Sequence, residues 1–281
     1  MMRMGEKELS SIDGRKHNPG EKSMKLGVCV GPDQTKVFAE AGFAFVELHV
    51  QNHLKTMEDD HAFAGALHTI QSSVLPCCVA NCFVPGSLKI TGDSADMDAL
   101  ESYVTTALAR AHTAGIDTIV FGSGGARQIP EGFDRGKAWH QLVDFGKMVG
   151  PIALQNKVTV VVEPLNHKEC NVLNSVGETA SYVEAVHHPA VRLLVDAYHM
   201  GVDNDIYGDI VTYGHYLSHV HIATIKSRRP PGLEPCDFTA FFTALRQAQY
   251  TGRISVEAGW EDGASEASVV YKALLSLTET L

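Results

Sequence analysis

The sequence predicts a single closed (β/α)8 barrel, the TIM barrel, over residues 24–281. Eight apolar segments of strand length recur along the chain, and segments with helical periodicity separate them. No linker rich in Pro, Gly or Ser divides the 281 residues, and one barrel commonly takes about 250 residues. A dinucleotide-binding sheet is the main structural alternative, but no G-x-G-x-x-G motif follows the first predicted strand.

The predicted strands are mostly continuous in hydrophobicity, which is typical of parallel strands covered on both faces. In chain order they are 25–30, 44–49, 74–80, 117–121, 158–163, 191–196, 217–221 and 253–257. Helical periodicity is clearest in the segments 95–114, 135–156, 176–187, 237–249 and 264–280. Gly42 and Gly115 lie where helices are expected to end, because glycine readily adopts the left-handed conformation found there.

Composition and charge exclude several classes of protein. Hydrophobic residues make up 44% of the chain and charged residues 20%, which is typical of a globular protein with a sizeable core. The formal net charge of -10 provides no electrostatic attraction to nucleic acid or to anionic lipid, so we expect neither as a partner. The six cysteines form no repeated C-x-x-C pair, and we interpret them as reduced thiols of a cytoplasmic protein.

Residues 1–23 are polar, with charges of both signs and no apolar segment of a signal peptide. We predict that they form a disordered extension, or that translation starts at Met24, next to the first strand. No segment approaches the ~18 apolar residues of a membrane-spanning helix. The expected organisation is therefore one catalytic barrel domain over 24–281.

Four residues that can bind a metal lie at the ends of four successive predicted strands. Glu163, Asp196, His221 and Glu257 end strands five to eight, and the C-terminal ends of barrel strands surround the active site. Each residue alone could instead cap a helix or pair with an arginine. Together, three carboxylates at one buried mouth require a compensating cation. Oxygen ligands with one imidazole favour Mn²⁺, with Mg²⁺ or Co²⁺ as alternatives.

At these residues the chain resembles the xylose-isomerase-like barrel superfamily. The resemblance is strongest to its branch of ketose 3-epimerases, hydroxypyruvate isomerases and related sugar phosphate isomerases and epimerases, and it extends over 24–281. Its motifs are EPLNHKE at 163–169, DAYH at 196–199, HVH at 219–221 and VEA at 256–258. The motifs occur in the order of that family and at roughly its spacing.

The resemblance implies that Glu163, Asp196, His221 and Glu257 bind one divalent metal ion. It also implies that Glu163 and Glu257 form the acid/base pair, that no organic cofactor is needed, and that the chain forms a homodimer or homotetramer. The substrate would be a small sugar, a keto-sugar or a sugar phosphate.

The resemblance further implies three residues that bind the substrate. Glu169 and His199 match positions that contact substrate hydroxyls in the family. An arginine follows the metal-binding histidine by six residues in the family, and that position here is Ser227. A loop shift of one residue would assign the role to Arg228, whereas a solvent-exposed KSRRP turn at 226–230 is the alternative.

Other polar residues near the predicted mouth admit two interpretations. His219 lies two residues before His221 and therefore on the same strand face, where a buried, hydrogen-bonded histidine is expected beneath the metal site. Glu47 could line the pocket or form structural hydrogen bonds. In the glycine-rich segment 121–128, backbone amides and Arg127 could bind a phosphate or sugar oxygens, or the segment could be an ordinary loop.

The implied chemistry is proton transfer through an enediolate. The metal would chelate adjacent hydroxyl and carbonyl oxygens of an open-chain sugar and acidify the carbon-bound proton between them. Two glutamates on opposite faces of that carbon would give epimerisation, and one base serving two carbons would give aldose–ketose isomerisation. The sequence leaves both reactions open.

Three alternative functions are weighed against this one. An apurinic-site endonuclease would need further histidines and a D-x-H pair, but 122–125 is GSGG and Thr239 stands two residues after Asp237. A non-catalytic sugar-binding barrel should lack the complete acid/base pair, but Glu163 and Glu257 are both present. The third alternative is a lyase, dehydratase or glycoside-opening enzyme that acts on a keto-sugar. It would form the same enediolate, so the sequence does not exclude it.

Overall fold

Eight parallel strands close into one barrel in the order β1 to β8 in the computed structural model, which describes residues 24–279. The strands are β1 Lys25–Cys29, β2 Phe45–His49, β3 Cys77–Asn81, β4 Thr118–Phe121, β5 Thr159–Val162, β6 Val191–Asp196, β7 Leu217–Ile222 and β8 Arg253–Val256. The predicted (β/α)8 fold is confirmed. Residues 1–23, for which we predict an extension, lie outside the described residues, as do 280 and 281.

Helices follow the strands in turn, and the long ones agree closely with the predicted segments. In chain order the helices are α1 Thr35–Ala41, α2 Val50–His53, α3 Asp60–Gln71, α4 Met97–Ala114, α5 Gly124–Arg127, α6 Arg135–Gln155, α7 Val176–Val186, α8 Ala197–Asp203, α9 Gly208–Thr212, α10 Thr239–Gln247 and α11 Gly263–Glu279. None of these helices within 24–279 is both long enough and apolar enough to cross a membrane.

The starts of four long helices are determined by local side chains. At each, an Asp or Ser directly before the helix accepts a hydrogen bond from the backbone N–H three residues later: Asp59 from Ala62, Asp96 from Ala99, Asp134 from Lys137 and Ser175 from Glu178. Such a cap satisfies a backbone donor that has no partner within the helix and contributes about 1 kcal/mol. These caps begin α3, α4, α6 and α7.

The third strand begins three residues later than predicted. The apolar run starts at Val74, but β3 starts at Cys77. Pro76 has no backbone N–H and therefore cannot donate a strand hydrogen bond. Val74 is 64% exposed and lies in the connection that precedes the strand. The prediction from hydrophobicity alone therefore placed the start of the third strand incorrectly.

One compact apolar cluster packs inside the barrel. Its members are Phe45, Val79, Val120, Val161 and Leu194. A Cβ atom on Gly27 would overlap the ring of Phe45, so the glycine in β1 makes room for this aromatic side chain. A larger apolar core lies between the strands and the surrounding helices. This packing leaves the C-terminal mouth as the place where polar groups can meet a ligand.

Candidate functional site

The four predicted metal-binding residues come together at the C-terminal mouth of the barrel. Asp196 is the last residue of β6, and its register partner in β7 is His221. Glu163 directly follows β5, and Glu257 directly follows β8. The side chains of Asp196 and His221 are almost completely buried, whereas that of Glu257 retains 20% exposure. The strand ends therefore direct these polar groups toward one small, largely buried volume.

His221 contacts two of the predicted ligands directly. Its Nδ1 lies 2.9 Å from Oε1 of Glu163 and 3.5 Å from Oε2 of Glu257. On the other side of the ring, Nε2 lies 2.9 Å from Oε1 of Glu47. The Glu47 contact orients the ring so that Nδ1 faces the carboxylates at the mouth.

A second histidine also reaches the carboxylate cluster. One oxygen each of Glu163, Asp196 and Glu257, together with a ring nitrogen of His199, lie within 4.8 Å of one another. A ring nitrogen of His221 also lies within the same distance of possible ligand atoms of Cys29 and Glu47. Two histidines therefore lie among the carboxylates: His221, the predicted ligand, through Nδ1, and His199, which the resemblance implies to be substrate-binding.

Two buried polar atoms in the cluster have no hydrogen-bond partner among residues 24–279. Oδ1 of Asp196 accepts a hydrogen bond of 2.7 Å from the backbone N–H of Tyr198, but Oδ2 has no hydrogen-bond partner among residues 24–279. Nε2 of His199 is likewise buried and unpaired within that range, 3.6 Å from Oδ2 of Asp196. Because buried polar groups are nearly always paired, a cation and a polar ligand fit this site well.

The electrostatics of the cluster show an excess of negative charge. Burial, together with repulsion from Glu163 and Glu257, raises the pKa of Asp196 to about 6. Burial also opposes the charge on His221, but Glu47, Glu257 and Glu163 outweigh it and raise the pKa of His221 well above its ordinary value. Several carboxylates thus compete for one imidazolium, and a divalent cation would relieve their repulsion.

A cavity of about 340 Å³ opens onto this cluster. The ends of β2 and β3, with the loops after β3 and β4, form one side, and His49, Asn81 and Cys82 are among the lining residues. Another cavity of about 540 Å³ lies between the loops after β1 and β8, where Asp33 and Trp260 are among its lining residues. The smaller cavity is the candidate substrate site because Glu163 and Glu257 of the carboxylate cluster line it.

All three predicted substrate-binding residues line the smaller cavity. Nη2 of Arg228 lies 2.5 Å from Oε2 of Glu257, and its Nη1 lies 3.4 Å from Oε1 of Glu169. The guanidinium also stacks over the ring of Tyr198, 4.5 Å from its centroid. Arg229 pairs with acidic side chains away from the cavity. The structure therefore places Arg228, and not Arg229, beside the carboxylates, and the fully exposed turn is not observed.

Glu47 and His219 form a hydrogen-bonded layer beneath the site. Nε2 of His219 lies 3.0 Å from Oε2 of Glu47 and 3.1 Å from Oγ of Ser255. His219 is completely buried, as expected for a core histidine. Because Glu47 contacts both His219 and His221, it connects this layer to the predicted metal ligands.

The suggestion that Arg127 binds phosphate is wrong. Its side chain is completely buried, and its guanidinium donates hydrogen bonds to the backbone carbonyls of Phe121, Glu163 and Leu173. Arg127 therefore holds the ends of β4 and β5 together behind the site. Charge alone could not distinguish this structural role from an anion site.

Sequence reasoning missed two asparagines near the predicted ligands. Nδ2 of Asn81, at the end of β3, donates to Oε1 of Glu257 over 3.2 Å. Asn166, in the EPLNHKE motif, contacts both Glu169 and His199. Asn81 could have been predicted from the sequence because it lies at a strand end. The contacts of Asn166 could not, because they depend on how its loop folds.

Known proteins resemble parts of this chain. It is 31% identical over 117 residues to a D-psicose 3-epimerase of Agrobacterium fabrum, a match that covers 41% of the chain and 38% of the relative. It is 31% identical over 106 residues to an L-ribulose 3-epimerase of Methylomonas sp., with 37% of each chain covered. A 3-dehydro-D-guloside 4-epimerase of Escherichia coli is 29% identical over 112 residues, 40% of this chain and 42% of the relative. The chain thus spans about two fifths of the length of these relatives.

Solved structures share the fold over nearly the whole chain. A D-allulose 3-epimerase from Methylomonas sp. in complex with D-allulose superimposes with a TM-score of 0.77 at 20% identity, covering 93% of this chain and 98% of that one. A D-psicose 3-epimerase solved in the presence of D-fructose gives a TM-score of 0.72 at 22% identity, with 88% and 89% covered. At these identities the likeness shows the barrel fold. The family model of the xylose isomerase-like TIM barrel matches residues 36–277, and the chain therefore belongs to the xylose isomerase-like TIM barrel family.

Proposed function

We propose that this chain is a divalent-metal-dependent epimerase of a small keto-sugar. One observation carries the proposal: Glu163, Asp196 and Glu257 bring carboxylate oxygens within 4.8 Å of one another, and two of them, Glu163 and Glu257, line a cavity of about 340 Å³. The three relatives described above are sugar epimerases by name, which supports this reaction over isomerisation.

In this proposal Glu163, Asp196, His221 and Glu257 hold the cation. When bound by these residues, a divalent ion would polarise the carbonyl and neighbouring hydroxyl of a sugar and would stabilise the negative charge that develops there. Mn²⁺ is the proposed ion, with Mg²⁺ and Co²⁺ as alternatives, because the set contains three carboxylates and one imidazole. The unpaired Oδ2 of Asp196 supports a cation at this position.

The two glutamates are proposed to move the proton. Glu163 follows β5 and Glu257 follows β8, and two strands separate them around the barrel. This separation suits an arrangement in which one carboxylate removes a proton from the carbon beside the carbonyl and the other returns a proton to the opposite face. A single base that served two neighbouring carbons would instead isomerise the sugar.

Glu169, His199 and Arg228 are proposed to bind substrate hydroxyls, because all three line the cavity. Arg228 is the one Lys or Arg side chain among the described residues that line it, and two carboxylates already contact this guanidinium. This charge balance favours an unphosphorylated sugar over a sugar phosphate. The six cysteines, all free among residues 24–279, support a cytoplasmic enzyme.

The similarity to a 3-dehydro-D-guloside 4-epimerase supports a second candidate substrate, a glycoside that carries a ketone at carbon 3. Epimerisation beside that ketone uses the same carboxylates, with the proton taken from carbon 4. The two candidates differ in whether the sugar is open-chain or remains a glycoside. A substrate panel that contains both kinds of molecule separates them.

Exchange of carbon-bound hydrogen in D₂O tests the proposal. Mn²⁺-loaded protein is incubated with free ketoses and 3-keto-glycosides, and deuterium is located by NMR after the protein and ion are removed. We expect deuterium at the carbon beside the carbonyl together with the epimer, and loss of both in Glu163→Gln and Glu257→Gln. Glu261→Gln is the matched control because Glu261 is exposed and pairs with Arg229 away from the cavity. Release of an eliminated group, or no exchange by metal-loaded protein, would contradict the epimerase proposal.

A further inference from the structure

We propose that Asn166 is a positioning residue that determines which ring nitrogen of His199 carries the proton. Asn166 is 1% exposed and lies three residues after Glu163, in the loop that follows β5. Its amide contacts Glu169 and His199, both of which are proposed to bind substrate. The consequence for catalysis rests on the proposed function, whereas the position of the ring proton follows from the hydrogen bonds alone.

The orientation of the Asn166 amide follows from two neighbours whose roles are unambiguous. Its Oδ1 accepts a hydrogen bond of 3.0 Å from the backbone N–H of Lys168, a group that can only donate. Its Nδ2 lies 3.1 Å from Oε1 of Glu169, a carboxylate oxygen that accepts. The opposite orientation would place two donors together and two acceptors together. The NH₂ group therefore faces Glu169 and His199.

Two donors then converge on one nitrogen of His199. Nδ1 lies 2.8 Å from Nδ2 of Asn166 and 3.2 Å from the backbone N–H of the same residue. A ring nitrogen that accepts hydrogen bonds must present its lone pair, so the proton of the neutral ring is on Nε2. That nitrogen is buried and faces Oδ2 of Asp196 over 3.6 Å.

This arrangement assigns different roles to the two histidines at the mouth. A protonated Nε2 cannot bind a cation, so His199 is a hydrogen-bond donor toward a substrate oxygen even though it lies within the carboxylate cluster. In His221, Glu47 accepts from Nε2, which leaves Nδ1 as the nitrogen that faces Glu163 and Glu257. In this arrangement His221 would present Nδ1 to a cation, whereas the Asn166 contacts would leave His199 as a donor.

Nitrogen NMR of the histidine rings measures this arrangement directly. The full chain is labelled with ¹⁵N in its histidine rings, and the His199 signals are identified by their loss in His199→Gln. In the wild type we expect the Nδ1 of His199 to resonate as an unprotonated ring nitrogen and Nε2 as a protonated one. The same pattern is expected after addition of Mg²⁺, which is diamagnetic.

Asn166→Asp replaces the donor beside Nδ1 with an acceptor of nearly the same shape. We expect Nδ1 to become protonated in this variant. Asn171→Asp is the matched control, because Asn171 lies in the same loop but bonds the backbone of Ile129 and not His199. We expect the control to keep the wild-type His199 signals although it carries the same added charge.

The outcomes separate this inference from the proposed function. A wild-type His199 that is protonated on Nδ1, or an Asn166→Asp variant with an unchanged ring pattern, would overturn the inference whether or not any sugar reacts. If Asn166→Asp does not fold, the wild-type spectrum still tests the inference, because it shows which ring nitrogen of His199 carries the proton. If the epimerase proposal also holds, Asn166→Asp should raise KM for the sugar about tenfold, the loss expected for one substrate hydrogen bond.

Discussion

Gly122 lies directly against the carboxylate of Glu163: a Cβ atom on Gly122 would overlap Oε2 of that side chain. Gly122 directly follows β4, and Glu163 directly follows β5, so two adjacent strand ends make the contact. The carboxylate can occupy its place in the cluster because residue 122 has no side chain. The glycine-rich loop after β4 thus has a steric role at the candidate site.

Gly122→Ala is expected to displace Glu163 and weaken binding of the cation. The added methyl group leaves no room for Oε2 and forces the carboxylate out of its present position. We expect Mn²⁺ affinity, measured by calorimetry, to fall about tenfold or more, since a carboxylate ligand moves. Gly125→Ala is the control, because the nearest atom to its Cβ is the Cα of Gly86 at 3.4 Å. Equal Mn²⁺ affinity in the two variants would show that the contact does not position Glu163.

The two histidines at the mouth are expected to differ in metal binding. His221→Gln should weaken Mn²⁺ binding about a hundredfold, whereas His199→Gln should leave it within about threefold, because His199 is expected to donate through Nε2. Calorimetric titration of the ion-free variants measures both values. A larger loss of affinity in His199→Gln than in His221→Gln would reverse the assignment of the ligand.

Arg228→Lys is expected to raise KM for the sugar with little loss of folding stability. Arg228 contacts Glu257 and Glu169 through different nitrogens, and a lysine ammonium cannot reproduce this planar, forked geometry. We expect KM to rise about tenfold, corresponding to about 1.4 kcal/mol of binding energy. Arg229→Lys provides the neighbouring control, since its partners Glu261 and Glu266 lie away from the cavity. Steady-state kinetics and urea unfolding of both variants separate substrate binding from stability.

Arg127→Met is expected to destabilise the barrel substantially. The substitution leaves the carbonyls of Phe121, Glu163 and Leu173 without their guanidinium donor in a completely buried position. The cost should be about 3–5 kcal/mol, since unsatisfied buried acceptors cost about 1–3 kcal/mol each. Urea unfolding measures it, with Arg135→Met as the control because Arg135 is exposed and donates to a single carbonyl, that of Asn171. A loss of less than about 1 kcal/mol in the free energy of unfolding would contradict the view that Arg127 holds the ends of β4 and β5 together.

Asp196→Asn is expected to stabilise the metal-free protein at high pH. Burial and the neighbouring carboxylates raise the pKa of Asp196 to about 6 in the folded state, above its value of 3.8 as an ordinary carboxyl. The folded state therefore binds this proton more tightly, and stability is lost as the pH rises from about 4 through 6. Asparagine keeps an acceptor for Tyr198 and carries no charge. Urea unfolding in EDTA should show a variant about 1–3 kcal/mol more stable than the wild type at pH 7.5 and similar at pH 4.

The fold was accessible from the sequence because each element depends on residues close together along the chain. Apolar runs separated by periodic segments are local patterns, and eight repetitions leave few alternatives to a closed barrel. The third strand was placed imperfectly because Pro76 removes a hydrogen-bond donor that hydrophobicity does not report. Strand ends also predicted the meeting of Glu163, Asp196, His221 and Glu257, since parallel strands present their C-terminal ends on one face.

By itself the sequence therefore determined the barrel, the end of it that carries the site, and the residue types that gather there. Only the tertiary structure decided the contacts made by long side chains and loops: Arg127 turns inward to carbonyls, Arg228 and not Arg229 reaches Glu257, and Asn166 meets His199. Residue type and spacing do not specify the rotamer or hydrogen-bond partner of such a group. The rotamer and the hydrogen-bond partners are determined by atoms that folding brings together from distant parts of the chain. The chemistry of the site depends on these contacts.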